Sequence, residues 1–304
     1  MIKMRVLLMA LLAWAPLAQA TLLWSYSYSG AGASGSGYLT TSSNLQGGSY
    51  AITGISGMRG DQPVESLLAA GTYPTSGGSV LNSDNRLHPS APFLGTGGFT
   101  SVVGSDLVNV YFQVDSYFDL AGSDCNPDTC GSMFFGTPVA FTATLVPSRE
   151  WRFAYSGDGV SASGTLVTPA TPSLGQYDIV GLFGERNGQA MNALLPAGDY
   201  PAAGGSALHS DNLLSLVAPN LDLQGFTFHA GDDRYNVYYS GGAYYDLAGI
   251  DCGDGCGRPG HLGTPITFTL LPVPEPPAAA LLLAAMAALV VVRPGRRRPA
   301  AQIQ

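Results

Sequence analysis

The chain contains an internal duplication, and this duplication limits the folds that the chain can adopt. The motif Trp-x-aromatic-x-Tyr-Ser-Gly at 24–30 returns at 151–157, a shift of 127 residues (151 − 24 = 127). Other motifs recur at the same shift, including Tyr-x-Ile-x-Gly at 50–54 and 177–181, Ser-Asp-Asn at 83–85 and 210–212, Asn-Val-Tyr at 109–111 and 236–238, and Tyr-x-Asp-Leu-Ala-Gly at 117–122 and 244–249. Self-similarity over a period of domain size predicts one structural unit built twice. We therefore expect two domains, at 21–147 and 148–272.

Residue patterns within each copy predict β-strands. Runs of aromatic and β-branched residues are bounded by Gly, Asn, Asp or Pro, and no stretch keeps a helical period over three turns. The predicted strands are 24–28, 38–41, 50–55, 99–103, 107–114 and 139–146 in the first copy, and 151–155, 164–168, 177–183, 226–228, 235–239 and 266–271 in the second. Their spacing is typical of antiparallel neighbours and predicts an all-β fold, with a sandwich or a small barrel in each copy. The sequence leaves the choice between these two open.

The charge balance of the duplicated region excludes nucleic acid as a partner. Residues 21–272 contain 20 acidic residues, 7 arginines and no lysine, so the net charge is 7 − 20 = −13. Proteins that bind nucleic acid neutralise its phosphates with clustered Lys and Arg, which carry the opposite charge. The apolar content of the whole chain, 46%, argues against disorder because it supplies enough surface to bury a core.

The first twenty residues have the three parts of a secretory signal peptide. Lys3 and Arg5 form a basic start, an apolar stretch follows, and Ala18 and Ala20 provide the small-residue end. We therefore predict export through the secretion translocon and cleavage by signal peptidase after Ala20.

The C-terminal segment 273–304 carries a different pattern. Val273-Pro274-Glu275-Pro276 is followed by an apolar run at 278–292 and then by Arg293, Arg296, Arg297 and Arg298. A helix over this run would span roughly 23 Å, which is short for a bilayer core of about 30 Å. A buried core helix is the alternative, but the run shows no amphipathic period. Because arginines directly after an apolar span hold that end in the cytoplasm, we predict a short transmembrane helix with both domains outside.

This order of motif, apolar span and basic end resembles the PEP-CTERM sorting signal of Gram-negative bacteria. The resemblance implies that an exosortase-type membrane protease recognises Pro274, Glu275 and Pro276. It also implies an inner-membrane intermediate, followed by delivery to the cell surface or the extracellular space. Pro294 and Gly295 interrupt the basic end, and we expect this departure to be tolerated.

The repeated motifs of the two domains resemble those of PEP-CTERM ectodomains as well. The elements concerned are Tyr-x-Ile-x-Gly, Ser-Asp-Asn and Asn-Val-Tyr, and they occur in both copies. This second resemblance implies no activity, because the group is described by its sorting and not by a reaction.

The four cysteines lie in two short acidic loops, one in each copy. Cys125 and Cys130 flank the first loop, and Cys252 and Cys256 flank the second. In an oxidising periplasm an even number of locally paired cysteines predicts two disulfides. Zinc is the alternative, but each copy offers only two cysteines and His261 lies near just one pair. The acidic residues of these loops show no regular Ca²⁺-ligand spacing, so we predict no metal site.

No residue pattern points to catalysis, and we predict no catalytic residue and no cofactor. The Ser-Asp-Asn motif occurs in β-lactamases, but those enzymes also need lysines, which residues 21–272 lack. The chain has no G-x-S-x-G elbow, and its four histidines have no histidine at the aligned position of the other copy.

The recurring Arg and Asp residues suggest an ion pair within each copy. We expect each Ser-Asp-Asn aspartate to end a turn or to pair with the arginine of its own copy, Arg59 with Asp84 and Arg186 with Asp211.

Two functions from different classes fit the sequence. The first is a non-catalytic exported surface or extracellular-matrix protein, with exopolysaccharide as a candidate partner. The alternative is a secreted carbohydrate-binding module or hydrolase, in which rings such as Tyr111, Phe112, Tyr117 and Phe118 would form a stacking platform instead of sheet core. A hydrolase should gather unmatched polar residues of one copy in a cleft, whereas a structural protein should show two equivalent, shallow repeats.

Overall fold

The computed structural model of the protein describes residues 21–75, 80–124, 135–203, 207–251 and 262–274. Regular structure among these residues is β-strand, apart from short 3-10 turns such as Gly122–Asp124 and Gly249–Asp251. Thr21–Val273 forms one compact unit. The prediction of an all-β fold for this region is confirmed.

The first copy folds into a closed antiparallel barrel of eight strands. The strands of this copy, inside and outside the ring, are β1 (Thr21–Gly30), β2 (Ser34–Ser42), β3 (Tyr50–Arg59), β4 (Gln62–Leu67), β5 (Gly71–Pro74), β6 (Val80–Ser83), β7 (Arg86–Leu87), β8 (Phe99–Val103), β9 (Asp106–Gln113), β10 (Ser116–Ala121) and β11 (Thr137–Val146). The ring runs β1-β2-β3-β4-β8-β9-β10-β11 and returns to β1. Outside the ring, β5 pairs with β6, and β7 pairs with the start of β3.

The second copy repeats this barrel. Its strands are β12 (Ser148–Gly157), β13 (Val160–Pro169), β14 (Tyr177–Asp178), β15 (Gly181–Arg186), β16 (Gln189–Leu194), β17 (Gly198–Pro201), β18 (Ala207–Ser210), β19 (Leu213–Leu214), β20 (Phe226–Ala230), β21 (Asp233–Ser240), β22 (Ala243–Ala248) and β23 (Thr264–Pro272). The ring runs β12-β13-β15-β16-β20-β21-β22-β23 and closes on β12. Both copies are therefore barrels, which resolves the choice that the sequence left open.

The alternating pattern of the first strand in each copy explains the core. Trp151, Phe153 and Tyr155 of β12 are buried, whereas the residues between them are exposed. Phe153 stacks on Phe268 of β23 with ring centroids 6.4 Å apart. The matching rings in the first barrel, Tyr26 and Phe141, stack at 6.3 Å, so the duplicated motif places aromatic side chains in both cores.

A pair of facing glycines lets neighbouring strands approach closely in each barrel. Gly37 faces Gly57 between β2 and β3, and Gly164 faces Gly184 between β13 and β15. A Cβ on Gly57 would overlap the backbone oxygen of Ser36, and φ at this residue is +142°. The glycine of the repeated Gly-x-Arg motif is thus required by the backbone.

The arginine of the same motif pairs with a different aspartate from the one predicted. Arg59 binds Asp119 of β10 through two hydrogen bonds, with Nη2 2.6 Å from Oδ1 and Nε 3.0 Å from Oδ2. Arg186 binds Asp246 of β22 in the same way, at 2.7 and 3.0 Å. The predicted pairs, Arg59 with Asp84 and Arg186 with Asp211, are therefore wrong.

The positions of the aspartates in the fold explain why the arginines bind Asp119 and Asp246. Asp84 follows β6 outside the ring, where its carboxylate accepts a hydrogen bond from the Arg86 amide at 3.1 Å. The side chains of Asp119 and Asp246 are only 1% exposed. A carboxylate buried to this degree requires a charged partner, which the arginine supplies. In the second barrel Asp246 also accepts the Tyr155 hydroxyl at 2.6 Å.

Replacing Arg186 with methionine should destabilise the protein by about 3 kcal/mol or more, because it leaves the Asp246 carboxylate buried without its cation. Arg59→Met should be milder, since Arg59 is 25% exposed against 11% for Arg186, and water can reach the freed carboxylate of Asp119 more easily. Urea unfolding measures both free energies. Arg152→Met, at an exposed position of β12, is the control and should change stability by less than about 0.5 kcal/mol. Equal losses for Arg186→Met and Arg152→Met would contradict the structural role of the pair.

Candidate functional site

Most of the sorting signal lies outside the described residues. Glu275, Pro276, the apolar run at 278–292, the four terminal arginines, Ala18, Ala20 and the four cysteines all fall there, and their predicted roles remain predictions. Within the described ranges no helix is long and apolar enough to cross a membrane. Val273 lies at the end of β23, where its amide donates to the Glu150 carbonyl at 2.9 Å. The Thr21 amide donates to the carboxylate of the same residue at 2.7 Å.

The Ser-Asp-Asn motifs serve as internal hydrogen-bonding elements. The Ser83 hydroxyl donates to Asn85 Oδ1 at 2.7 Å and accepts the Thr100 amide at 3.1 Å. Asn85 Nδ2 donates to the Leu68 carbonyl at 2.7 Å. Ser210 and Asn212 make the same contacts in the second copy, with Thr227 and Leu195 as partners.

The asparagine of the repeated Asn-Val-Tyr motif is also bonded within the fold. Asn109 Nδ2 lies within 3.1 Å of the carbonyl oxygens of Asn82, Gly97 and Phe99. Asn236 is likewise within 2.9 Å of the carbonyl oxygens of His209 and Gln224. Buried polar side chains with partners of this kind stabilise the loops that they join, and their donors are already used.

The aromatic residues of β9 and β10 also pack within the fold. Tyr111 and Phe118 are buried, with ring centroids 5.7 Å apart. The Tyr111 hydroxyl donates to the Phe135 carbonyl at 2.6 Å, and Tyr117 accepts the Phe93 amide at 2.8 Å. These contacts favour sheet core over an exposed stacking platform.

The two barrels contact each other through the β3–β4 and β15–β16 hairpins. In each hairpin the two strands separate beyond the residue pairs next to the turn. β3 and β4 pair only near their turn, at Met58 with Pro63 and Arg59 with Gln62, and β15 and β16 pair similarly near theirs. Beyond these pairs, β16 lies against both β3 and β4. The Ser56 hydroxyl on β3 donates to the Val180 carbonyl of the second barrel at 2.7 Å.

Charged residues at this junction are not shared by the two copies. Glu65 of β4 lies 3.4 Å from Arg234 and 3.9 Å from His229 Nε2, both in the second barrel. At the aligned positions (shift 127) the other copy has Asn192, Leu107 and Val102. Burial lowers the pKa of His229, and the nearby Arg234 lowers it further. The neutral imidazole thus avoids a second positive charge beside Arg234.

A groove of about 730 Å³ opens beside this junction. It is lined by Ala51, Ile52, Thr53, Ser66, Leu67, Leu68, Ala69, Ala70, Asp84, Asn85, Arg86 and, from the second barrel, Met191. Arg86 Nη1 is buried and has no hydrogen-bond partner among the described residues. The aligned residue of the second copy is Leu213, so the barrel fold does not require an arginine here. We regard this groove as the candidate binding site.

Asp84 supplies a negative charge at the same groove. Burial raises the pKa of Asp84, whereas the amide and the guanidinium of Arg86 lower it. The groove therefore offers a donor and an acceptor among mostly apolar side chains, which is the usual composition of a small-molecule site. In the sequence, one residue indicated this site: Arg86 stands where the second copy has Leu213.

A second group of unmatched polar residues is the carboxyl pair Asp211 and Asp222 in the second barrel. The aligned residue for Asp222 is Gly95, so the first copy has no such pair. Burial raises the pKa of Asp211 to about 6, and the hydrogen bond to Asp222 adds to this increase. Although partial burial opposes it, the amides of Gly225 and Gln224 hold the pKa of Asp222 below its usual range.

Comparison of the chain with protein-family models, with curated proteins and with solved structures finds no match in any of the three.

The carboxyl pair should make stability depend on pH between about 4 and 6. Asp211 keeps its proton in the folded protein up to about pH 6, whereas the unfolded chain loses it near 3.9. The folded state binds more protons in this window, so the free energy of unfolding falls as pH rises. Asp222→Asn removes the hydrogen bond and the charge that add to the effect of burial on the pKa of Asp211, and it should reduce this dependence. Urea unfolding at a series of pH values tests it, with Asp158→Asn at an exposed turn as the control. An unchanged slope in Asp222→Asn would show that the pair does not share a proton.

Proposed function

We propose that this chain is a non-catalytic exported surface or matrix protein, delivered by its C-terminal sorting signal, that binds acidic groups of exopolysaccharide in the groove between its barrels. The observation that supports the proposal is the division of polar residues between two roles. Polar residues common to both copies, such as Asn109 and Asp119, bond within each barrel. Unmatched charged residues, such as Glu65 and Arg86, lie at the junction and its groove.

The chemistry of the groove favours a carboxylate-bearing sugar. A guanidinium presents a planar set of donors that matches a carboxylate. Nη1 of Arg86 makes no hydrogen bond within the described residues that a ligand would have to replace. Asp84 and the hydroxyls of Thr53 and Ser66 line the same groove and can bond sugar hydroxyls. The apolar lining fits the C–H faces of a sugar ring.

The net charge of residues 21–272 favours binding of a single acidic sugar over binding of a long acidic chain. Residues 21–272 carry a net charge of 7 − 20 = −13, which repels a polyanion. Salt screens this repulsion beyond about 8 Å at physiological ionic strength, so a single acidic sugar at Arg86 is little affected. We therefore expect short uronate oligosaccharides to bind better than long acidic chains at low salt.

Arg86→Leu should weaken binding of a short oligogalacturonate by about tenfold or more, because a charge-assisted hydrogen bond contributes roughly 1.5–3 kcal/mol. The variant introduces the leucine that the second copy has at the aligned position, Leu213, so the barrel should fold normally. Titration calorimetry measures the affinity, with Arg152→Leu as the control at an exposed site and a neutral oligosaccharide as the control ligand. Equal binding by Arg86→Leu and by the unmodified protein would contradict the role proposed for the groove.

Glu275→Ala should leave the protein unprocessed in the inner membrane, because the proposed signal contains one carboxylate between its two prolines. Cell fractionation and the mass of the C-terminal peptide of the mature protein measure the outcome. Glu185→Ala, an exposed acidic residue of β15, is the matched control and should be processed normally. Normal release of Glu275→Ala would rule out the role proposed for that residue.

A further inference from the structure

We propose that two neighbouring turns of the second barrel contact a lipid bilayer through an apolar tip, which we define as Leu174, Leu216 and Val217. Leu174 is fully exposed, and Val217 and Leu216 are 78% and 50% exposed. The aligned residues of the first copy are Gly47, Pro89 and Ser90. The apolar tip is therefore not a property of the barrel fold.

The strand pairing places these residues on one end of the second barrel. Tyr177 of β14 pairs with Leu214 of β19 in antiparallel register. The turn before Tyr177 and the loop after Leu214 therefore leave the same end of this strand pair. Backbone hydrogen bonds of 2.7 and 2.9 Å between Ser173 and Gln176 close the turn that carries Leu174.

The backbone conformation at position 174 is unfavourable for a leucine. Its φ is +50°, a left-handed conformation that is uncommon for a leucine, whereas glycine adopts it freely. Gly47 has φ of +61° at the aligned position of the first copy. The second copy thus has an exposed apolar side chain at a position where glycine would suit the backbone better.

The chain leaves the second barrel at this same end, and the apolar run at 278–292 follows in the sequence. Val273 is hydrogen-bonded to Glu150, and Glu150 is paired with Val167 near the end of β13, the strand that leads to the turn at Leu174. Two strand spacings, about 10 Å, separate β23 from β13. In the sequence, the apolar run begins five residues after Val273 (278 − 273 = 5).

This position identifies the occupant of the tip as a bilayer, and the inference rests on the anchoring proposed above. Arg149 lies near the same end of the barrel, with its guanidinium carbon 5.8 Å from the ring centroid of Tyr177 and Nη1 3.3 Å from the Tyr177 hydroxyl. Arg149 is exposed, and a basic side chain suits the headgroup region of a membrane. Asp178 is exposed, so the contact involves the turn tips and not the strands behind them.

The test places a tryptophan at the tip in the full chain, reconstituted into vesicles of phosphatidylethanolamine and phosphatidylglycerol. Val217→Trp should emit at shorter wavelength in vesicles and should lose emission when the lipids carry bromine. Ser90→Trp, at the aligned position of the first copy, is the matched control and should show neither change. Trp14, Trp24 and Trp151 are present in both variants and give the same background. Leu216→Trp repeats the measurement at a second tip position.

Vesicle flotation separates the two proposals. If the protein floats but Val217→Trp and Leu216→Trp are quenched no more than Ser90→Trp, the lipid contact is wrong while the anchor stands. If the emission shifts without quenching by brominated lipid, another protein surface covers the tip and the lipid contact is again wrong. If the protein does not float, both the anchor and the contact are overturned.

Discussion

The pairing of the first strand of each copy with its last strand holds each barrel together. Tyr28 lies opposite Phe141 in β1 and β11, and Tyr155 lies opposite Phe268 in β12 and β23. This closure pairs the first and last strands of each copy, whose edges would otherwise be free to pair with another sheet. It also brings the Tyr155 hydroxyl to the Asp246 carboxylate, so the buried ion pair with Arg186 depends on the same closure.

The sequence predicted the duplication and the strand class because both are local properties. Alternating aromatic residues such as Trp151, Phe153 and Tyr155 mark a strand wherever they occur. Closure into a barrel could not be predicted, because it depends on pairs more than a hundred residues apart, such as Tyr28 with Phe141. Short strands outside the recognised runs, such as β4 and β10, were missed because their residues alternate less clearly.

The site was harder to predict than the fold, for two physical reasons. Each copy repeats two aspartates, and only the three-dimensional position of Asp119, inside the barrel, distinguishes it from Asp84 as the partner of Arg59. The groove exists because one barrel packs beside another, and no local pattern reports that packing. Its one sequence signal is Arg86, which stands where the duplicated copy has a leucine. Arg86, which breaks the repeat, was thus more informative about the groove than the residues that keep the repeat.

The position of Val273 has a mechanical consequence. A force applied to Val273 along the axis of β23 acts on a strand that is hydrogen-bonded to β12 on one side and to β22 on the other. Pulling a strand along its own axis loads these bonds together, whereas pulling it sideways would break them one after another. Glu150, which binds both Val273 and Thr21, lies at the point where such a load enters. The hydrogen bonds of β23 therefore resist a pull along the strand better than a pull across it.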